Sequence, residues 1–396
     1  MIASREKLGD LCSLVTKGTT PTSVGFDFAE RGVPFLRIQN ISGNTVSLNE
    51  VLYIDEGTHN ALARSKIRAG DFLITIAGTI GRTAIVPQDF PESNCNQAVA
   101  ILRFDESKLW PKFLLYWLST EGATSQISGR KVTATISNLS LGQIKELEIP
   151  LPPLPEQKRI AAILDKADTI RRKRQQAIQL ADDFLRAVFL DMFGDPVTNP
   201  KGWNVVELST LVDPDDKLNY GVVQPGDHEE DGVPLVRSGD LSDVTPDVSQ
   251  LRRVSSSIDS KHRKSKLKGN EILIACVGTI GRVGWVSEAM IGWNIARAVT
   301  RIPIREGVNR EYVYRYLQNP VVQGYFERET RAVAQPTLNV GLIAKTPVAL
   351  PPHDLQLAFL ERYRTIQAYK ERLLVALGAQ DELAGCLSQR AFAGQL

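Results

Sequence analysis

The chain has 396 residues, 43% of them hydrophobic and 23% charged, with a net charge of only +2. That supplies cores for two or three ordinary domains, and the charge balance neither demands a nucleic-acid partner nor excludes one whose contacts gather on one face. The charged start Met1–Lys7 and the lack of any run near the roughly 18 apolar residues of a bilayer span exclude a signal peptide and a membrane helix, so a cytoplasmic protein is expected.

Taken in chain order, β-branched and aromatic runs bounded by Gly, Pro and Asn predict strands over Val33–Ile38, Phe72–Ile76, Ala84–Val86 and Ala98–Phe104. Pro111–Leu118 follows as an amphipathic helix with proline in its first turn. A proline-rich stop at 150–155 gives way to a stretch from Glu156 to about Phe193 without Pro or Gly, which predicts one long helix. Its apolar residues fall near a seven-residue repeat at Ile160, Ile163, Ala167, Ile170, Ala177, Ala181, Phe184 and Val188, and Arg174 interrupts that seam. Gly194 to Pro200 is a helix-breaking turn, and Lys201-Gly202-Trp203 opens the next segment. Strands over Val233–Arg237, Ile272–Cys276, Val283–Val286 and Ala298–Ile304 and a helix around Glu311–Leu317 come next. A second long helix begins near Pro351-Pro352, with its seam at Phe359, Ile366, Tyr369, Leu373, Ala376, Leu383 and Leu387.

The second half therefore repeats the first. Gly-Val-Pro-Phe-Leu-Arg at Gly32–Arg37 returns as Gly-Val-Pro-Leu-Val-Arg at Gly232–Arg237, and the run ending Gly-Thr-Ile-Gly-Arg at Arg82 returns at Arg282, both at an offset of 200 residues. A period this long is not a solenoid, whose units run to about 20–50 residues. It is two copies of one domain. We expect an α+β chain of two similar domains, 1–150 and 195–350, each a small twisted sheet with helices, joined by long helices at 151–194 and 351–396. Two matched apolar seams in one chain suit an antiparallel coiled coil, and about 35 residues at 1.5 Å each make a rod near 50 Å. The plainer alternative packs each helix on its own domain.

Catalytic motifs are missing. Gly78–Arg82 and its copy lack the spacing and lysine of a phosphate loop, no Gly-x-Gly-x-x-Gly follows a strand, and no Asn-Pro-Pro-aromatic signature of an amino-methyltransferase is present. Glu106-Ser-Lys108 and Glu156-Gln-Lys158 have a nuclease-like shape but no placed upstream acid. Cys12, Cys95, Cys276 and Cys386 stand apart from one another and from the four histidines, which argues against a zinc site or disulfide framework. The expectation is a chain with no catalytic residue and no metal.

Binding remains. In Gly78, Thr79, Gly81 and Arg82, and in Gly278, Thr279, Gly281 and Arg282, a glycine turn lets the backbone approach a phosphate while Thr and Arg supply donors; the plainer reading is a tight turn needing positive φ. Arg37 and Arg237 close equivalent strands, and Gln39 and Asn40 are residue types that read adenine or place a phosphate; strand-end arginines also serve as surface ion pairs. Basic polar loops carry Arg130, Lys131 and Thr133 in one copy and Arg331, Gln335 and Thr337 in the other. The run Arg171–Arg174 reads as a solvated helix face or a partner contact.

The passage 150–165, Pro-Leu-Pro-Pro-Leu-Pro-Glu-Gln-Lys-Arg-Ile-Ala-Ala-Ile-Leu-Asp, with Asp191–Pro196 and Asn199–Trp203, resembles the central region of type I restriction–modification specificity subunits, and the order of domain, long helix, domain, long helix matches over essentially the whole chain. The start Pro351 to Gln356 departs from that pattern. The resemblance implies two target-recognition domains, each reading one half of a bipartite, asymmetric site in double-stranded DNA, with Gly18-Thr19-Thr20-Pro21 as a DNA-facing loop and Gly221 to Pro225 its weaker counterpart. It implies that the helices set the spacer and dock two methyltransferase subunits, with restriction subunits joining them. S-adenosylmethionine, ATP and magnesium then belong to those partners and no cofactor to this chain. The alternative is a non-catalytic scaffold that organises proteins without reading DNA.

Overall fold

The computed structural model describes residues 4–129, 138–330 and 337–396. The chain divides into two compact units, Met1–Gln176 with Leu374–Leu396, and Ala177–Leu373.

In the first unit, strands Cys12–Lys17, Val99–Phe104, Phe72–Thr75 and Thr83–Ile85 form an antiparallel sheet in that order. A second sheet orders Leu52–Ile54, Val33–Leu36, Ser93–Cys95 and Lys66–Ile67, with the middle pair parallel. The larger sheet is apolar on both faces, and alternation sorts its side chains. Phe72, Ile74, Ala100 and Leu102 meet Phe113, Leu114 and Trp117 of the helix Pro111–Leu118, whereas Leu73, Val99 and Ile101 meet Leu36 and Cys95 of the second sheet. The result is three layers: helices, sheet, sheet. The strand pair Ser4–Lys7 and Glu148–Leu151 closes the unit.

The second unit repeats this arrangement. Asn219–Tyr220, Val299–Pro303, Glu271–Ala275 and Val283–Trp285 make the larger sheet, and Arg252–Val254, Val233–Val236 and Asn294–Ile295 the smaller one. Ile272, Ile274 and Ile302 face Tyr312, Val313 and Leu317 of the helix Arg310–Gln318, and Leu273 and Val299 face Val236 and Ile295. The predicted strand Val33–Ile38 stops at Leu36, because Arg37–Asn40 turns, with the Asn40 side chain accepting from the Arg37 N–H at 2.9 Å. Strands Cys12–Lys17, Leu52–Ile54 and Ser93–Cys95 were not predicted; the last is polar in sequence yet wholly buried.

The long helices run Leu154–Phe193 and His353–Phe392. The first ends at Gly194, which takes φ +79°. Each unit takes half of each helix, and the halves run antiparallel. In the first unit Gln380 Nε2 donates to the Ala167 carbonyl at 2.9 Å, and Arg159 Nη2 donates to that of Leu396 at 2.9 Å. In the second unit Phe189 and Phe193 of the first helix meet Phe359 of the second with centroids 5.6 and 5.1 Å apart, and Lys370 pairs with Asp182.

Of the predicted seam, Ile160, Ala181 and Val188 are buried in the first helix and Phe359 in the second, with Ile160, Val188 and Phe359 each within its own unit's core. Ile163, Ala167, Ile366, Leu373 and Leu387 are half-buried. Ile170, Phe184, Tyr369 and Leu383 are 43–58% exposed. A two-helix pair shields only one narrow stripe, and these four positions are only partly covered by it.

Candidate nucleic-acid interface

In the first unit, strands Cys12–Lys17 and Phe72–Thr75 finish, and Val99–Phe104 begins, at one end of the larger sheet. The smaller sheet delivers the ends of Val33–Leu36 and Ser93–Cys95 to the same place, where Asn96 N–H donates to the Leu36 carbonyl at 3.1 Å and Ile76 N–H to that of Ala98 at 2.8 Å. Four loops are thereby gathered: Gly18–Pro21, Arg37–Asn40, Ile76–Arg82 and Asn96–Ala98. The second unit gathers Gly221–Pro225, Arg237–Asp240, Cys276–Arg282 and Ala296–Ala298 in the same way, with Ala296 N–H to the Val236 carbonyl at 2.9 Å and Cys276 N–H to that of Ala298 at 2.8 Å.

The two glycine turns are closed by the same backbone bond. Gly81 N–H donates to the Thr75 carbonyl and Gly281 N–H to that of Ala275, each at 2.9 Å. Gly78 and Gly81 sit at φ +65° and +90°, and Gly278 and Gly281 both at +82°, so these positions require glycine for backbone reasons alone. In the first copy the Thr75 hydroxyl donates to the Thr79 carbonyl and accepts from Arg82 N–H at 2.9 Å. Thr279 Oγ1 reaches the Ser238 carbonyl at 3.4 Å, tying the turn to the Arg237 loop. Gly18 and Gly221 answer a different constraint, which is space. A Cβ on Gly18 would stand 2.1 Å from the Cys95 carbonyl oxygen, and one on Gly221 1.7 Å from that of Ile295.

Side-chain partners sort the predicted residues. Arg82 and Arg282 are exposed and form no ion pair among the described residues. Arg237 is engaged by Asp240, Nε to Oδ2 at 3.0 Å and Nη2 to Oδ1 at 3.2 Å, which raises its affinity for its proton. Arg37 donates from Nη2 to the Glu50 carbonyl at 2.9 Å. Thr19 and Thr20 are half-buried, Thr20 donating to Gln97 Oε1, and Gln39 is exposed.

Asn40 corrects an expectation. It is 1% exposed, and besides capping Arg37 its amide donates to the Ser47 and Asn49 carbonyls at 3.2 and 3.0 Å, so it holds the loop and presents nothing to a ligand. Gly281 is likewise buried, a Cβ there standing 2.5 Å from Gln323 Oε1. Thr337 lies beside Leu338, whose N–H donates to the Cys276 carbonyl at 3.0 Å. Arg130, Lys131, Thr133, Arg331 and Gln335 lie outside the described residues.

Sequence reasoning missed Gln97 and Arg297, exposed at equivalent positions just before the central strand; the repeat offset would have located them. It also missed what the glutamine of the Glu-Gln start does. Gln157 is buried, accepts from Trp110 N–H at 2.8 Å and donates to the Lys108 and Pro152 carbonyls at 2.9 Å, pinning the long helix to its unit. Gln356 does the corresponding work on the Pro351 carbonyl at 2.9 Å. The departure at Pro351–Gln356 therefore keeps the anchoring amide.

No cluster of three or more His, Cys, Asp or Glu suited to a metal occurs among the described residues. None of their helices is long and apolar enough to cross a membrane. All four cysteines are free thiols, and burial pushes those of Cys95 and Cys276 up.

Known proteins place this architecture. The family described as type I restriction modification DNA specificity domain matches residues 5–180 and 200–371. The type I restriction enzyme EcoBI specificity subunit of Escherichia coli is 28% identical over 415 residues, covering 98% of this chain and 85% of that protein. The putative type I restriction enzyme MjaX specificity subunit of Methanocaldococcus jannaschii is 23% identical, covering 91% of this chain and 85% of that one. In fold, a chain solved in work on complex assembly and conformational transition of the type I R-M system aligns with TM-score 0.64 at 20% identity, over 99% of this chain and 98% of that one. The type I restriction–modification S subunit from M. genitalium aligns at 0.55 and 15%, over 98% and 96%. Two family matches, one on each repeat, together span most of the sequence, and on that ground the chain belongs to the type I restriction–modification DNA specificity family.

Proposed function

We propose that each unit reads one half of a bipartite, asymmetric site in double-stranded DNA, with the spacer between the halves set by the two long helices, and that the chain docks two methyltransferase subunits, joined by restriction subunits, without catalysing a step itself. One observation carries this reading: the same loop end is built twice on one backbone plan, with exposed arginines at Arg82 and Arg282 that form no ion pair among the described residues, and with different side chains around them. Backbone N–H groups, threonines and arginines there would hold phosphates and set register, and a few base-edge contacts, each worth about 1–3 kcal/mol, would set sequence. Apolar positions left open on the helices, Ile170, Phe184, Tyr369 and Leu383, are proposed as partner-docking surface. Cofactors and the cytoplasmic setting follow from those partners.

The test is an exchange. Replacing residues 1–150 by the corresponding segment of a relative should change one half of the methylated motif in cells that carry the partner subunits and leave the other half intact. If both halves change, one unit does not read one half-site.

A further inference from the structure

The two loop ends share a backbone and differ in several side chains. Lys17 and Tyr220 occupy the same rung, opposite Ala100 and Thr300. Thr20 and Val223 each lie two residues past the space-limited glycine, Ala77 and Val277 follow the strand residue that bonds to the Ala98 or Ala298 carbonyl, and Gln97 and Arg297 stand between them. Positions 97 and 297 are exposed in both copies.

Their chemistries differ in kind. In the first unit the Thr20 hydroxyl donates to Gln97 Oε1, which leaves one oxygen lone pair and both Nε2 hydrogens for a ligand. That donor–acceptor pair complements N6–H and N7 of adenine. In the second unit Arg297 has no ion-pair partner among the described residues and lines a cleft of about 720 Å³ with Tyr220, Val223, Val277 and Asn339. The Asn339 side-chain oxygen caps a helix, accepting from Leu342 N–H at 2.9 Å, and Arg297 is the one charged side chain among the described residues that line this cleft. Its fork matches O6 and N7 of guanine. Tyr220, Val223 and Val277 are 45–55% exposed, and the two valines and the tyrosine ring beside that arginine suit a thymine methyl.

We propose that Gln97 and Arg297 are the paired positions that make the two half-sites different, Gln97 held by Thr20 reading an adenine in one and Arg297 in its apolar-walled cleft reading a guanine in the other. This rests on the DNA-reading function proposed above. Both side chains lie outside the cores, so exchanging them leaves the scaffold intact.

The experiment measures competition binding of the complex assembled with methyltransferase subunits, using duplexes in which each base pair of its methylated motif is replaced in turn. Gln97→Arg should abolish discrimination at one A·T pair of one half-site, and Arg297→Gln at one G·C pair of the other, each by about ten- to a hundredfold, with all other positions unchanged. Arg297→Lys, which keeps the charge and loses the fork, should relax discrimination at that same pair and keep overall affinity within a few fold. Variants whose discrimination profiles match the parent at every position, or lose affinity uniformly over all sequences, would overturn the assignment while leaving the DNA-reading function standing. A parent complex that prefers no sequence would overturn that function itself.

Discussion

Arg174 Nη1 on the first long helix donates to the backbone carbonyl of Ala376 on the second, 2.8 Å away, and to Gln380 Oε1. The residue that interrupts the apolar seam is the one that crosses it. Gln380 returns the contact through Nε2 to the Ala167 carbonyl at 2.9 Å, so the two side chains fix where along each other the helices meet. A polar pair in an apolar seam sets register at some cost in stability.

Arg174→Ala and Gln380→Ala should therefore each destabilise the chain by about 1–2 kcal/mol. The double variant should fall short of their sum by at least about 0.5 kcal/mol, because both remove one network. Urea unfolding of all four proteins gives the coupling. Strict additivity would mean the two residues act independently.

Arg301 and Glu271 are both 0% exposed and meet at 2.7 Å, with Asp216 on the other side of the guanidinium. Glu271 also accepts from Lys268 and Gly269 N–H at 2.8 Å each. Glu271→Ala should cost about 3–5 kcal/mol, since it removes one of the two carboxylates around a buried guanidinium and leaves two backbone donors without their acceptor. The Arg301 guanidinium holds the Asp216 carboxyl below its ordinary range. A depressed carboxylate contributes stability that is complete above the unfolded value near about 4 and is lost as pH falls through the lower folded value. Urea midpoints should fall with acid in the parent, and Arg301→Met should flatten that slope.

Gly18→Ala forces a Cβ within 2.1 Å of the Cys95 carbonyl oxygen and 2.2 Å of that of Asn96, so backbone must move. A loss of about 1–3 kcal/mol is expected, with weaker reading of one half-site only. Thermal unfolding and methylation of sites altered in one half at a time check both parts. An unchanged melting temperature would show that the loop has slack the geometry does not reveal.

Arg82→Ala and Arg282→Ala should leave stability unchanged, because neither side chain has an ion-pair partner among the described residues. DNA binding by the assembled complex should weaken about equally on all sequences, and the slope of log K against log salt should drop by about 1 per variant. Identical slopes for parent and variants would return these arginines to the bare turn.

Much of this was legible because the sequence is written twice. A motif kept at a fixed offset located both glycine turns, and long stretches without Pro or Gly located both helices. Asn40 was misread because a buried capping asparagine and an exposed reading asparagine look alike until its three bonds are seen. Gln97 and Arg297 escaped notice because they fall just outside the motifs that repeat, and only the shared Ala-Val that follows them fixes their equivalence. The arginine that pairs with the neighbouring strand's acid also moved: half-buried Arg103 meets Asp71 at 2.6 Å in one unit, whereas buried Arg301, two residues earlier on the same strand face, meets Glu271 in the other. Alternation keeps either position pointing to the same side, so the ion pair persists while a residue-by-residue comparison loses it.

Leu387, Ala391 and Phe392 pack into the core of the unit that begins with Ser4, Phe392 lying 5.1 Å from Phe113. A ribosome emits residues 374–396 only after all of 177–373, so the earlier-made unit must wait, its hydrophobic flank uncovered, while the later one already holds every piece it needs. Order of birth and order of completion run in opposite directions along this polypeptide.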